Sequence, residues 1–485
     1  MKLEGLKNDL PETPDFIHNI IQEEVARQTK TTNIVPMKAP NKLKWKIGRV
    51  AAVALIGIMG TSVAAYAGTK LYYMYLEHRG QYSVATGINV DEGTKKIQLP
   101  EEIHNIEISA GYIPDGMEWM DDYKLNYSDT PYQGGISISW VLMDQDDLGK
   151  AWIDKGVIES EELTFGEHEG VYVKLLDLKE DKSFDKRIYL FYPEEYRVFT
   201  IYFGDDVTKE DAIKFVENMI ITEKDDLIET KGAETWSDLV NPETDTDDLR
   251  NKVSEDQIIV NKIGDTISLE SMYEDAAGNT DISDGISVCV DNVQILDDLR
   301  VLDGADLPEE WEAAVAGDGT LKQNHLSYVK SGDGENTLDK VVNEAAVNQK
   351  LVYAQVTYTN NTDAELRNIL YYGSLITMKH ENISYRLYLP SEEPGDDYDY
   401  YMEDGVAKTG SMTYYSAVED YGNGGNYIGA LAPGESVQVV MAWIVDETDL
   451  DNMYLNLNSD GGIIEFTDSM LKGGAVSLSA HSRLS

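Results

Sequence analysis

The sequence predicts an α+β domain with an antiparallel sheet followed by an all-β sandwich, both joined to one N-terminal transmembrane helix. Three observations lead there. First, 485 residues exceed what a single core accommodates, so the chain divides into modules. Second, residues from 97 onward carry many short stretches that alternate apolar and polar positions between Gly, Pro and Asn turn signals. Third, one stretch of twenty residues near the start has no charge, and it separates a basic segment from a strongly acidic one.

The first 48 residues read as a cytoplasmic tail. Thr13 can cap a helix, Pro14 suits its first turn, and Asp15 complements the helix dipole, which predicts an amphipathic helix over 14–28. Ile17, Ile20, Ile21 and Val25 form its apolar stripe, with Phe16 as a further candidate partner contact and Glu23, Glu24, Arg27 and Gln28 on the other face. So short a helix has no core of its own. Its stripe is a candidate partner-binding surface for a protein or for the inner membrane face, or else the segment is only partly ordered. Residues 29–41 lack periodicity and read as a tether.

Residues 49–70 are the expected span. Val50 to Thr69 is uncharged, and at about 1.5 Å per residue it crosses a hydrocarbon core of about 30 Å. Lys38, Lys42, Lys44, Lys46 and Arg49 precede it without an acidic residue among them, which places the N-terminus inside by the positive-inside rule. Trp45, Tyr66, Tyr72, Tyr73 and Tyr75 flank the span as interface anchors. Two features leave alternatives open. Ala65-Tyr66-Ala67 fits a signal-peptidase site, so cleavage after Ala67 competes with retention. Gly57, Gly60, Ala64 and Gly68 either pack against a second helix or are merely tolerated.

Residues 71–95 read as a stalk that continues the helix outward to the breaks at Gly80 and Gly87. Residues 96–222 read as the α+β domain. Its strand signals are Ile106 and Ile108; Ile136, Ile138 and Trp140; Val171, Val173 and Leu175; then 188–191 and 198–203. A helix capped by Thr208, with Ala212, Phe215, Val216 and Met219 on one side, covers that sheet. Residues 223–257 are polar and acidic and read as a linker. Residues 258–485 read as the sandwich, with strands at 263–269, 286–295, 351–358, 373–379, 385–389, 437–444 and 454–457. Trp311 and Trp443 are expected in its core.

Charge and composition exclude several functions. The net charge is −48, yet residues 1–49 hold nine Lys/Arg against six Asp/Glu, a balance of +3 that leaves −51 on the other 436 residues. Nucleic acid is therefore no expected partner of the large acidic part, because carboxylates would face phosphates. The one cysteine, Cys289, forms no disulfide framework and no multi-cysteine zinc site. The seven histidines are scattered without metal spacing. No nucleophile elbow or phosphate loop is present, so no catalytic, metal or cofactor-binding residue is assigned and the protein is not expected to be an enzyme. Residues 391–405 pack carboxylates and tyrosines together. They read either as a solvated loop or as a surface for a divalent cation or wall glycan.

The opening stretch LPETPDFIHNIIQEEVARQ, the basic segment, the Ala-rich span and the YIPDG turn together resemble single-span anti-sigma-factor-like regulators of Gram-positive bacteria. IGDTISL, VYAQVTYTNNTD and LAPGESVQVVMAWIVDE resemble telokin-like, immunoglobulin-like modules of bacterial surface proteins, a domain of unknown function. The resemblance implies a single-pass cell-membrane protein with its C-terminal domains outside, signalling to a cytoplasmic sigma factor in regulation of transcription. One departure is plain: the tail has no cysteine, so it lacks the His-Cys-Cys zinc domain of many anti-sigma factors. The alternative is a cell-surface binding or adhesion protein with an inert tail and a cell-wall or extracellular ligand.

Overall fold

The computed structural model describes residues 72–90, 98–128, 134–179, 183–240, 249–274, 280–408, 410–416, 425–460 and 462–478. The tail helix expected over 14–28 and the span expected over 49–70 lie outside the described residues. Among the described residues, no helix is long and apolar enough to cross a membrane. The chain is mostly β-structure, and its contacts divide it into two units. The first comprises residues up to 245 together with 331–340, and the second comprises 246–330 and 341–485.

The first unit opens with a correction. In place of a helical stalk, residues 72–90 form two paired strands, β1 (Tyr72–His78) and β2 (Ser83–Val90). YYMYLEH and SVATGINV are rich in aromatic and β-branched residues, whose side chains fit a pleated surface better than the crowded side of a helix. Gly87 sits opposite Tyr75, and a Cβ there would lie 2.5 Å from the Tyr75 hydroxyl, so the glycine gives the ring room to lie across the strand.

The unit continues through β3 (Glu102–Ala110), β4 (Met117–Trp119), β5 (Lys124–Tyr127), β6 (Ile136–Leu142) and β7 (Ala151–Lys155). Next come β8 (Val157–Phe165), β9 (His168–Leu175), β10 (Lys186–Tyr192), β11 (Arg197–Phe203), α1 (Lys209–Glu217), β12 (Met219–Glu229) and α2 (Trp236–Val240). Strands β4-β5-β6-β11-β10-β9-β8 form an antiparallel sheet in that order. Both of its faces are buried. Tyr172, Ile188, Leu190, Phe199 and Ile201 point to a core shared with β3, β12 and α1, while Val171, Val173, Tyr189, Phe191 and Val198 point to a second core shared with β1 and β2. That is why VYVKL, IYLFY and VFTIYF are near-continuous apolar runs: strands covered on both sides have no polar face to present. The expected α+β domain is thus a layered β-structure whose one nine-residue helix starts at the predicted cap, with Thr208 accepting from the Asp211 N–H at 3.0 Å.

The acidic linker expected over 223–257 is also corrected. β12 runs to Glu229, and Trp236 on α2 is fully buried in the second core, its indole donating to the Lys150 carbonyl at 3.1 Å. The signal was a capping box: the Asp238 carboxylate accepts from the Thr235 N–H at 2.8 Å. Residues 331–340 complete the unit, burying Leu338 with Tyr82 and half-buried Leu176. Their backbone accepts from the Tyr82 N–H at Glu335 and from the Gly156 N–H at Gly334.

In the second unit each of the seven expected strands is present. In chain order the strands are β13 (Lys252–Ser254), β14 (Val260–Asn261), β15 (Thr266–Glu274), β16 (Thr280–Leu296), β17 (Gln323–Lys330), β18 (Lys340–Asn360), β19 (Leu366–Leu370), β20 (Ser374–Glu381) and β21 (Ser384–Tyr388). They continue with β22 (Tyr400–Glu403), β23 (Gly410–Ser411), β24 (Tyr414–Tyr415), β25 (Tyr427–Leu431), β26 (Ser436–Asp446), β27 (Met453–Asn456) and β28 (Ala475–Ser477). One sheet runs β22-β17-β18-β16-β15-β19-β25, with β26 against β18, and the other runs β13-β21-β20-β27-β28-β14. The main core lies between them: Val288, Val352, Val356, Val439 and Trp443 from the first meet Leu375, Met453, Leu455 and Val476 from the second. Trp443 and Trp311 are both fully buried, as expected. Asn360 joins two phrases of the sequence, since its amide donates to Leu431 O at 2.9 Å while its own backbone carbonyl accepts from the Gly434 N–H.

Candidate functional site

The site begins where β26 ends. The run AWIVDETDLDN leaves the sheet at Asp446 because Glu447–Asn452 winds into a 3₁₀ turn, held down by buried Leu450. Asp446 occupies the position from which an aspartate normally caps such a turn, yet its side chain makes no capping hydrogen bond. Instead the carboxylate is turned inward, only 2% exposed, and accepts from Asn324 Nδ2 at 3.1 and 3.0 Å on its two oxygens. Asn324, on β17, is itself fixed by accepting from the Gly405 N–H at 2.6 Å.

Asp446 and Asp449 line a small solvent-open recess of about 30 Å³ with Pro390, Tyr401, Glu403 and Lys408. That is room for a water or two, about a tenth of the smallest ligand pockets. Burial governs its electrostatics. Burial pushes Asp446 up to about 6, with the Asn324 amide working against it. Asp449 is pushed up to about 7 by burial and then by the charge of Asp446. Burial, reinforced by the nearby carboxylate charges, likewise raises the Tyr401 and Tyr328 hydroxyls, which stay protonated. Two carboxyl groups that titrate one after the other near neutrality can take up, hold and release protons. Among the described residues, no group of three or more His, Cys, Asp or Glu side chains could hold a metal ion.

The predicted site residues fall differently. Phe16, Ile17, Ile20, Ile21 and Val25 lie outside the described residues. The acidic, Tyr-rich stretch 391–405 contributes Ser391, Tyr401 and Glu403 to the recess, and several of its other residues are tied to the scaffold. Glu393 pairs with Arg386 at 2.7 Å and Lys379 at 2.6 Å, Asp399 with Lys330 at 2.7 Å, and the Tyr398 ring tilts against Tyr328 at 4.6 Å. Asn324, Asp446 and Asp449 were not foreseen. The available signal was a pair of aspartates three apart directly after a long apolar strand, a spacing that puts both on one side of the turn.

Residues 107–219 match the family described as Domain of unknown function (DUF4367). The match runs from β3 to the first residue of β12, so it takes in the central sheet and α1 of the first unit and leaves out β1, β2 and α2. No curated protein and no solved structure matches the chain.

Proposed function

We propose that this chain is a membrane-anchored, non-enzymatic signalling regulator of the anti-sigma-factor type, coupling its β-rich units outside the cell to a sigma factor bound by the N-terminal tail. The observation that carries the reading is the charge partition: a bilayer-length stretch without a charge, 50–69, lies between a tail of net +3 and a remainder of net −51. A domain of unknown function at 107–219 is compatible with such an outer region. In this reading Phe16, Ile17, Ile20, Ile21 and Val25 form the surface that meets the sigma factor.

Copurification of the full chain from membranes tests it. The wild type is expected to bring a sigma factor with it, and Ile17→Asp with Ile21→Asp to lose that factor while the chain stays in the membrane. Chain recovered in the soluble fraction, or membrane-bound chain without a sigma factor, overturns the reading. The Tyr- and carboxylate-lined recess favours one rival, a surface-binding protein with an inert tail. Deleting residues 1–40 separates them, because a regulator then loses its transcriptional effect whereas a binding protein keeps its ligand.

A further inference from the structure

The amide cluster behind Asp446 contains one group with nothing to accept. Gln349 is 4% exposed and stands directly across from Asp446 in the β18–β26 register. Residues facing each other across an antiparallel pair project to the same side with their Cβ atoms about 5 Å apart. Gln349 Nε2 donates to the Lys322 carbonyl at 2.7 Å, which fixes the orientation of the amide, because a flip would set oxygen against oxygen. Its Oε1 is buried and has no donor among the described residues. This oxygen and Asn324 Oδ1 crowd the same point over Gly405, where a Cβ would lie 2.8 Å from the first and 2.5 Å from the second. Asn324 in turn touches both Asp446 oxygens.

An ionised Asp446 leaves that arrangement one proton short. Its carboxylate and Gln349 Oε1 are both acceptors, and leaving a buried acceptor unmade costs about 1 to 3 kcal/mol. Among the other described groups facing the pair the one cation is Lys408, which is exposed at the recess wall. The rest are Tyr328, Tyr401 and Glu403 on β17 and β22, Tyr388 on β21, and Glu447, which is drawn to Lys350 at 3.1 Å.

We propose that Asp446 is a proton-binding site that donates, as the carboxylic acid, to Gln349 Oε1, and that with Asp449 it forms a latch which holds the end of β26 and the 3₁₀ turn closed in mildly acidic surroundings and loosens as the pH rises. The ligand is the proton alone: one carboxylate oxygen takes it from hydronium, the new O–H bond forms as the hydronium O–H bond breaks to leave water, and no other covalent bond changes. This is independent of the sigma-factor reading and survives its failure.

The sign follows from linkage. Both carboxyls are raised in the fold, so their contribution to stability is fully present below about pH 4 and is lost as the pH climbs through about 6 and 7. From pH 5.5 to 8 the population of locally open second unit therefore rises about a hundredfold. Hydrogen exchange of the full chain, corrected for intrinsic rate and read on peptides covering 322–326 and 440–452, measures it. Wild type is expected to show that rise, Asp446→Asn with Asp449→Asn to flatten it, and Asp446→Asn alone to match or exceed wild-type protection at pH 8, since an amide donates where the acid did. Infrared spectra add a second readout: wild type at pH 6 shows a protonated-carboxyl stretching band that Asp446→Asn diminishes and Asp446→Asn with Asp449→Asn removes. A flat wild-type profile, an unchanged slope in the double variant, or a wild-type spectrum without that band overturns the proposal.

Discussion

Replacing Trp236 with alanine tests whether residues 223–240 belong to a core or to a tether. The indole is fully buried, meets the Tyr189 ring edge-on at 6.4 Å and 83°, and donates to the Lys150 carbonyl at 3.1 Å. Truncating a buried tryptophan removes its transfer free energy and leaves a cavity, together about 3 to 5 kcal/mol. The Lys150 carbonyl also loses its donor, so the upper part of that range applies. Trp236→Phe keeps most of the burial and the edge contact and is expected to cost about 1 to 2 kcal/mol. Urea unfolding of the full chain measures both, with the slope unchanged and the first-unit midpoint lowered. In a thermal scan Trp236→Ala lowers that unit's midpoint by roughly 10 °C or more. A change within about 0.5 kcal/mol, as exposed positions give, refutes the placement of Trp236 in the core.

Three further outcomes follow from named contacts. Asp154 is 3% exposed and accepts from Arg187 at 3.1 Å, the Tyr189 hydroxyl at 2.9 Å and the Trp152 indole at 3.1 Å, so Asp154→Asn strands a buried guanidinium and is expected to cost about 3 to 5 kcal/mol by urea unfolding. Leu338→Ala, opposite Tyr82 and Leu176, is expected to lower first-unit stability by about 2 kcal/mol although residue 338 stands far along the chain, and hydrogen exchange at 82–84 reports it. Hydrogen bonds from Lys252 and Arg386 hold Glu381 down at about 2. Its contribution is therefore present above about pH 4.5 and lost as the pH falls toward 2, so Glu381→Gln is expected to weaken the acid-side decline of second-unit stability in a pH-resolved thermal scan.

Much of the sandwich was legible because stretches that face the core on one side keep their alternation, as in 263–269 and 352–358, whereas 441–446 is buried on both faces, Met441 and Trp443 in the main core and Ala442 and Ile444 beside Trp311. The first unit was harder to read, since strands buried on both faces lose that period, and the layer that covers them, β1 and β2, directly follows the apolar stretch 50–69 and so looked like its continuation. α2 was hidden by its acidic surroundings: a single buried ring outweighs several solvated carboxylates that lose nothing by staying in water. The recess was the least legible part. Asp446 and Asp449 are local to each other, but the groups that define their chemistry, Asn324, Gln349 and Tyr401, come from strands whose adjacency no spacing along the chain reveals.

The excursion of residues 331–340 into the first unit makes the chain pass between the units at three places, near 245, 330 and 340. Severing the chain near 245 therefore leaves one segment of the first unit, 331–340, on the downstream piece. The upstream piece would then lack a ten-residue segment of its own unit, whose Leu338 is buried with Tyr82 and Leu176. Separating the two pieces then requires either a second cleavage flanking 331–340 or enough unfolding to pull Leu338 from its place beside Tyr82.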